Sequence, residues 1–210
     1  MESRASRAQL ACLVIRRLFQ LLIGLWLYGA ALALFVRADL GLDPWNVFHA
    51  GLADRTGLSL GMVMMLVGVL VLCAWWPLRQ RPGIGALANI LIIGLAVDVT
   101  LPWLPVLDDP WARGGALIGS VVLNGFSGAL YIGAGLGPGP RDGLMTGLAA
   151  RTGGSIRVVR TMIELTVLAA GWALGGSVGL GTVVYALAIG PLVQAFLPYV
   201  SVRASGAVNP

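Results

Sequence analysis

Two short stretches hold the side chains best suited to chemistry. In "GLDPWNVFHAGLADRTG", Asn46 and His49 stand three residues apart, so a helix places them on one face, and His49 is the only histidine of the chain. In "GPGPRDGLMTGLAARTG" the matching opening is Arg141-Asp142. Amide, imidazole, guanidinium and carboxylate together suit the binding of a small polar solute or the passage of a proton. No nucleophile with a nearby base is visible, so an enzyme is not expected. His49 has no second histidine or thiolate cluster to share a metal, and Met145 takes its place in the second stretch, so interface packing is its first reading and a proton or solute contact the alternative. "GLGPGPRDG" lacks the preceding strand and the Gly-Lys-Ser/Thr ending of a phosphate loop. Neither a nucleotide nor any other cofactor is therefore expected.

These side chains need elements to position them. Asp43 is placed to cap a helix that Pro44 begins and Trp45 continues, and Arg55 followed by Gly57 marks its end. Gly139, Pro140, Arg151 and Gly153 fill the same roles in the second stretch. The pattern predicts helices over Pro44–Thr56 and Pro140–Thr152. Each would rise about 18 Å at 1.5 Å per residue, too short to cross a hydrocarbon layer roughly 30 Å thick. Two placements stay open. The helices either re-enter the membrane and aim their positive amino ends inwards, or lie flat at the interface with Trp45 as a headgroup anchor. Arg37 and Asp39 favour the shallow placement of the first copy.

The two stretches are copies of one text. Gly41 falls on Gly137 at a shift of 96, which also pairs Pro44 with Pro140 and Arg55-Thr56-Gly57 with Arg151-Thr152-Gly153. Carried outwards, the same register sets Arg17 on Arg113, Gly83 and Gly85 on Gly179 and Gly181, and Ile93-Gly94 on Ile189-Gly190. A gapless register over most of the chain indicates an internal duplication.

Composition names the solvent in which the repeat lives: 58% of residues are hydrophobic and 11% charged, with a mean hydropathy of +0.87. This is the balance of a bilayer protein, and it excludes an ordinary soluble domain. Six stretches, at about 18–36, 59–76, 84–103, 115–132, 156–174 and 178–199, approach the length of about twenty residues that a spanning helix needs. The first is not read as an export signal, because its repeat partner lies mid-chain. Small residues such as Gly24, Gly29, Gly125 and Gly128 suit close helix packing. Ionisable residues inside such spans are costly, which singles out Asp98 and Glu164, although Asp98 approaches the outer end of its span, where reaching water would also explain it. Glu164 lies four residues beyond Arg160, where a local ion pair would also explain it. Asn89, Asn124, Tyr28 and Tyr185 read as interhelical hydrogen-bond groups, and the shift pairs Asn89 with Tyr185 and Asn124 with Tyr28. Cys12 and Cys73 fit neither a disulfide framework nor a metal motif.

Three spans per copy would turn the second copy upside down relative to the first. The basic residues agree. With the amino terminus inside, eleven of the fourteen arginines fall on the cytoplasmic side, leaving Arg37, Arg55 and Arg113 outside. The net charge of +5 is thus a matter of topology, and nucleic acid is not an expected partner. The expected organisation is a cytoplasmic tail (1–16), a first repeat (17–105), a linker (106–112), a second repeat (113–201) and a carboxy-terminal tail (202–210). The fold class is an all-α membrane protein of six transmembrane helices in two inverted-topology three-helix repeats, each with one short re-entrant or interfacial helix. Both termini are expected in the cytoplasm and the chain in the cell membrane.

The stretches "GLDPWNVFHAGLADRTGLSLG", "RPGIGALANILIIGLAVD" and "YIGAGLGPGPRDGLMTGLAARTGGSIRVVRTMIELTV" resemble the bacterial YczE/YitT-type integral membrane proteins over about residues 15–200. That family more typically shows Gly-Pro-Trp-Asp-Val where this chain has Asp43-Pro44-Trp45-Asn46-Val47, which moves a carboxylate from position 46 to 43 and leaves Asp142 as the carboxylate of the second copy. The resemblance implies a membrane location and assigns no activity. Inverted repeats with paired broken elements favour a small secondary transporter or exporter of an unknown small solute, with Asn46, His49, Arg141 and Asp142 nearest its site. The alternative is a non-transporting membrane scaffold or regulator. The expected partners are the lipid bilayer and the solute, and a homo-oligomer stays open.

Overall fold

The computed structural model describes the backbone of residues 2–202 and the side chains of residues 11–202. Residues 203–210 of the expected tail, with Arg203, lie outside the described residues, as do the side chains of Arg4 and Arg7. Among the described residues the chain is helical with no strand. Its helices are α1 (Glu2–Ala38), α2 (Pro44–Thr56), α3 (Leu60–Cys73), α4 (Ile84–Thr100), α5 (Pro110–Gly133), α6 (Pro140–Thr152), α7 (Ile156–Ala173) and α8 (Leu180–Val200). A 3-10 turn, Leu101–Trp103, extends α4.

Among the described residues four helical stretches are long and apolar enough to cross a bilayer: Ala11–Ala38, Ile84–Trp103, Pro110–Gly133 and Leu180–Val200. The pair α2 and α3, bent by 114° at its break, makes a fifth if it counts as one broken span. Six were expected, and two helices account for the difference. α3 has only 14 residues, about 21 Å of rise. α7 is longer at 18 residues, but Arg157, Arg160 and Glu164 dilute its apolar surface. The outside of the bundle is apolar, with Phe19, Leu70, Leu91 and Leu187 more than half exposed. Trp76, Trp103, Trp111 and Tyr199 stand almost wholly exposed at helix ends, where amphipathic rings suit a headgroup layer.

The core is the α1–α5 pair, built on Leu21, Leu25 and Leu32 of α1 and Leu117 and Val121 of α5. Gly24 makes that approach close, since a Cβ there would lie 2.8 Å from the backbone nitrogen of Tyr131. α4 packs on α1 at Gly29, where a Cβ would lie 2.7 Å from the carbonyl oxygen of Ile93. α8 packs on α5 at Gly125, whose Cβ would meet Leu192.

Positions related by the shift of 96 make matching contacts. Gly181 N–H donates to Leu40 O at 2.7 Å, and Gly85 N–H to Leu136 O at 3.0 Å. α2 and α6 each have 13 residues, begin on Pro and end on a left-handed glycine, Gly57 at φ 71° and Gly153 at φ 67°. Thr56 Oγ1 donates to Leu52 O at 2.8 Å and Thr152 Oγ1 to Leu148 O at 2.9 Å. Gly41, at φ +97°, lies so near Gly179 that a Cβ would fall 2.3 Å from its nitrogen. Both conformation and space demand glycine there.

Two pairs of elements break the symmetry. α3 and α4 interlock through glycines: a Cβ on Gly61 would sit 2.0 Å from Gly94 O. α7 and α8, their counterparts, barely touch. α7 packs instead on α2, where a Cβ on Gly171 would lie 2.4 Å from Phe48 N. The residue matching Gly171 in the first copy is Trp75, whose indole lies against Gly143 and donates from Nε1 to Pro140 O at 2.9 Å. That bulk holds α6 away from α3, while glycine lets α2 close on α7.

Candidate functional site

A cavity of about 530 Å³ lies where the amino ends of α2 and α6 meet, with Pro44 and Pro140 in its wall. Both short helices bury these amino ends and expose their carboxy ends at Arg55-Thr56 and Arg151-Thr152. Two positive helix ends therefore face one chamber. Asp43 stands immediately before α2 in extended backbone, yet its side chain makes no capping hydrogen bond, contrary to the role its position suggests. The carboxylate turns instead towards the second copy. It accepts from Asn46 Nδ2 at 2.5 Å, and Arg141 Nη1 stands 3.9 Å away. The Arg141 guanidinium lies over the Trp45 ring, 4.9 Å from its centroid. Trp45, a headgroup anchor on the flat placement, is buried here.

His49 is buried, with Nδ1 3.1 Å from Asn46 Oδ1. Of the four residues expected nearest a site, His49, Arg141 and Asp142 line the cavity. Asn46 stands behind them and bridges Asp43 to His49. Asp142 Oδ2 is 3.5 Å from the Tyr131 hydroxyl, which donates to it. Glu164 also lines the cavity and is paired with Arg160 at 2.9 Å, one turn earlier on α7.

Asp98 belongs elsewhere. It lies on α4 and accepts from Ser59 Oγ at 2.5 Å and from Gly61 N–H at 2.7 Å, which caps α3 across the helix pair. Its cost inside an apolar helix is offset by those two bonds.

The sequence pattern read the tyrosines and asparagines as packing groups, and the structure puts them in the cavity wall. Tyr185 donates to Asn124 Oδ1 at 3.0 Å, and its hydroxyl is 3.4 Å from that of Tyr28. Asn89 and Tyr131 add to the polar lining. The available signal was the shift itself, which sets Asn124 on Tyr28 and Tyr185 on Asn89, so that polar groups sit at matching depths of four helices. Of the four buried donors among the described residues that have no hydrogen-bond partner, two, Asn124 Nδ2 and Trp45 Nε1, belong to residues of the cavity wall. Such groups are uncommon in native proteins and call for an acceptor.

On the α2 side the cavity wall is tied to α7, to α8 and to the connection between them. Leu42 N–H donates to Ser177 O at 3.1 Å, Thr182 Oγ1 donates to Leu42 O at 2.7 Å, and Gly176 and Gly171 lie against the backbone of Val47 and Phe48. The wall also draws on Ile132 of α5, Arg160 of α7 and Gln194 of α8. This arrangement can hold a small molecule by charge and hydrogen bonds.

Comparison with known proteins agrees with the sequence resemblance. Residues 15–198 match the model of a family of unknown function, DUF6198. The chain belongs to that family. An uncharacterized protein of Haemophilus influenzae is 41% identical over 177 residues, covering 84% of this chain and 81% of the relative. The uncharacterized membrane protein YczE of Bacillus subtilis is 37% identical over 175 residues, 81% of this chain and 80% of the relative. Bacillus subtilis YyaS is 26% identical over 186 residues, 85% and 90% of the two chains. No solved structure matches. This DUF6198 member is accordingly a helical membrane protein of the YczE type.

Proposed function

We propose that the chain is a small secondary transporter or exporter in the cell membrane, built as two inverted three-span repeats with α2 and α6 as re-entrant half-helices. The observation that carries this reading is the chamber at the meeting of the two α2 and α6 amino ends, with Asp43 of one copy facing Arg141 of the other. Inverted-repeat transporters place their solute site at such a junction of broken helices. The matched hydrogen bonds at the shift of 96 support the repeat, and the arginine distribution supports cytoplasmic termini.

On that topology the α2–α7 contact is the outer seal and the cavity reaches from mid-membrane towards the cytoplasm, an inward-facing state. Asp43, Asp142 and Arg141 would bind the solute, with Asn46 positioning Asp43 and His49. A scaffold would have no need of a chamber with unpartnered buried donors.

A screen of small solutes for thermal stabilisation of the purified protein tests the reading, because a ligand that binds only the native state raises its stability by mass action. Asp142→Ala should remain folded and inserted and lose the stabilisation. A protein that no solute stabilises, and whose reconstituted vesicles show no flux of any screened solute, would belong to the scaffold class.

A further inference from the structure

We infer that the solute is a zwitterionic amphiphile that enters the cavity sideways, from the bilayer, through the cleft between α7 and α8. This rests on the transport reading and names its substrate class.

The cleft follows from a specific divergence between the copies. In the first, Gly61 and Gly68 of α3 let α4 pack against it: a Cβ on Gly94 would lie 2.6 Å from Gly61 O, and one on Gly68 would lie 2.9 Å from Ile90 Cγ1. In the second, the residues matching Gly61 and Gly68 are Arg157 and Glu164, and Gly190, which matches Gly94, has nothing within 4 Å of an added Cβ. Long charged side chains cannot interlock with a helix as glycine does, so α7 and α8 stay apart. Along α8 the buried residues are Gly181 and Thr182, both in its first turn.

The cleft is continuous with the cavity. Ala186, Gly190 and Gln194 recur every four residues on one face of α8 and line the chamber together with Arg160 and Glu164 of α7. Its outer mouth meets the apolar surface that faces hydrocarbon, where Val183 and Leu187 are more than half exposed.

The chamber's chemistry fixes the head group. The unpartnered donors Asn124 Nδ2 and Trp45 Nε1 require acceptors, and the Arg141 guanidinium, whose ion partner is Asp43 at 3.9 Å, has further N–H groups to offer one, while Asp142, whose side-chain hydrogen bond is to the Tyr131 hydroxyl at 3.5 Å, suits an ammonium group. A head of both signs satisfies both sets, and an apolar tail lies along α8 into the bilayer. A water-soluble solute gives no reason for the open side.

Purified protein in dodecyl maltoside is titrated with lauroyl lysophosphatidylethanolamine and with glycerophosphoethanolamine, its head group alone. The lysolipid should bind at least tenfold more tightly. Gly190→Trp, at a position where an added Cβ meets nothing within 4 Å, should fold and weaken lysolipid binding at least tenfold, and Gly119→Trp, equally open at its Cβ on α5 and outside the cavity lining, should leave it unchanged. Unchanged affinity in Gly190→Trp, or equal binding of the head group alone, overturns the lateral entry and leaves the cavity reading standing. Equal binding of lysophosphatidylglycerol overturns the zwitterionic head. Efficient disulfide cross-linking of Gly190→Cys between two copies assigns the cleft to an oligomer contact and overturns the proposal. If neither probe binds, the amphiphile is overturned; the transport reading then stands or falls on the solute screen and flux assay.

Discussion

Gly171→Ala tests the outer seal with a single methyl group. The added Cβ would lie 2.4 Å from Phe48 N and 2.5 Å from its Cα, both backbone atoms that no rotamer change can move. Ordinary contact begins at 3.4 Å, so α2 and α7 must separate by about 1 Å (3.4 − 2.4) for the methyl group to fit. Overpacking of this kind costs about 1–3 kcal/mol. Alanine also favours the α7 helix over glycine by about 1 kcal/mol, but that gain is shared by sealed and opened forms and leaves their ratio unchanged. At 1.4 kcal/mol per factor of ten, the opened form should become about 5- to 150-fold more populated. The assay uses Met64→Cys, a buried cavity position, in a chain whose Cys12 and Cys73 are serine. A membrane-impermeant maleimide applied from outside should label it about 5- to 150-fold faster once Gly171→Ala is added. An unchanged rate in protein that elutes as a folded species would refute the reasoning that α2 on α7 closes the outer side.

Other perturbations have equally definite outcomes. Asp98→Ala removes the acceptor of two hydrogen bonds at the start of α3, so it should lower stability by about 1–2 kcal/mol, read as a fall in melting temperature, with solute binding retained; loss of binding at unchanged stability would place Asp98 in the site instead. Arg141→Gln leaves the buried Asp43 carboxylate without its cation, a loss of about 2 kcal/mol once the partial exposure of Arg141 is discounted. Adding Asp43→Asn should recover most of that stability in a double-mutant cycle, and strictly additive effects would deny the pairing. Reporter fusions after Asp109 and after Arg151 should read outside and inside respectively; the same side for both excludes inverted repeats.

Much of this was legible in the sequence because it depends on local rules. Pro44 and Pro140 at first helical positions and the glycines at 57 and 153 set the bounds of α2 and α6 through backbone conformation alone. The apolar composition requires that backbone polar groups be satisfied internally, which leaves helices as the spanning elements of such a chain. The shift of 96 paired Leu40 with Leu136 and Gly85 with Gly181, positions that make matching backbone hydrogen bonds. Glu164 with Arg160 followed from helical spacing.

Other features depend on which helices meet, and no local rule carries that. Asp43 sits at a cap position, yet its side chain serves Arg141, 98 residues away, because two helix ends converge. Asp98 and Ser59 are 39 residues apart and become cap and capped only when α4 lies along α3. Tyr28, Asn124 and Tyr185 have the composition of packing glue; they line a chamber because α1, α5 and α8 hold them at one depth. The cleft was encoded as Gly61 and Gly68 becoming Arg157 and Glu164. Its consequence appears only in three dimensions, because a glycine contributes by the approach of a neighbouring backbone and a charged residue by preventing it.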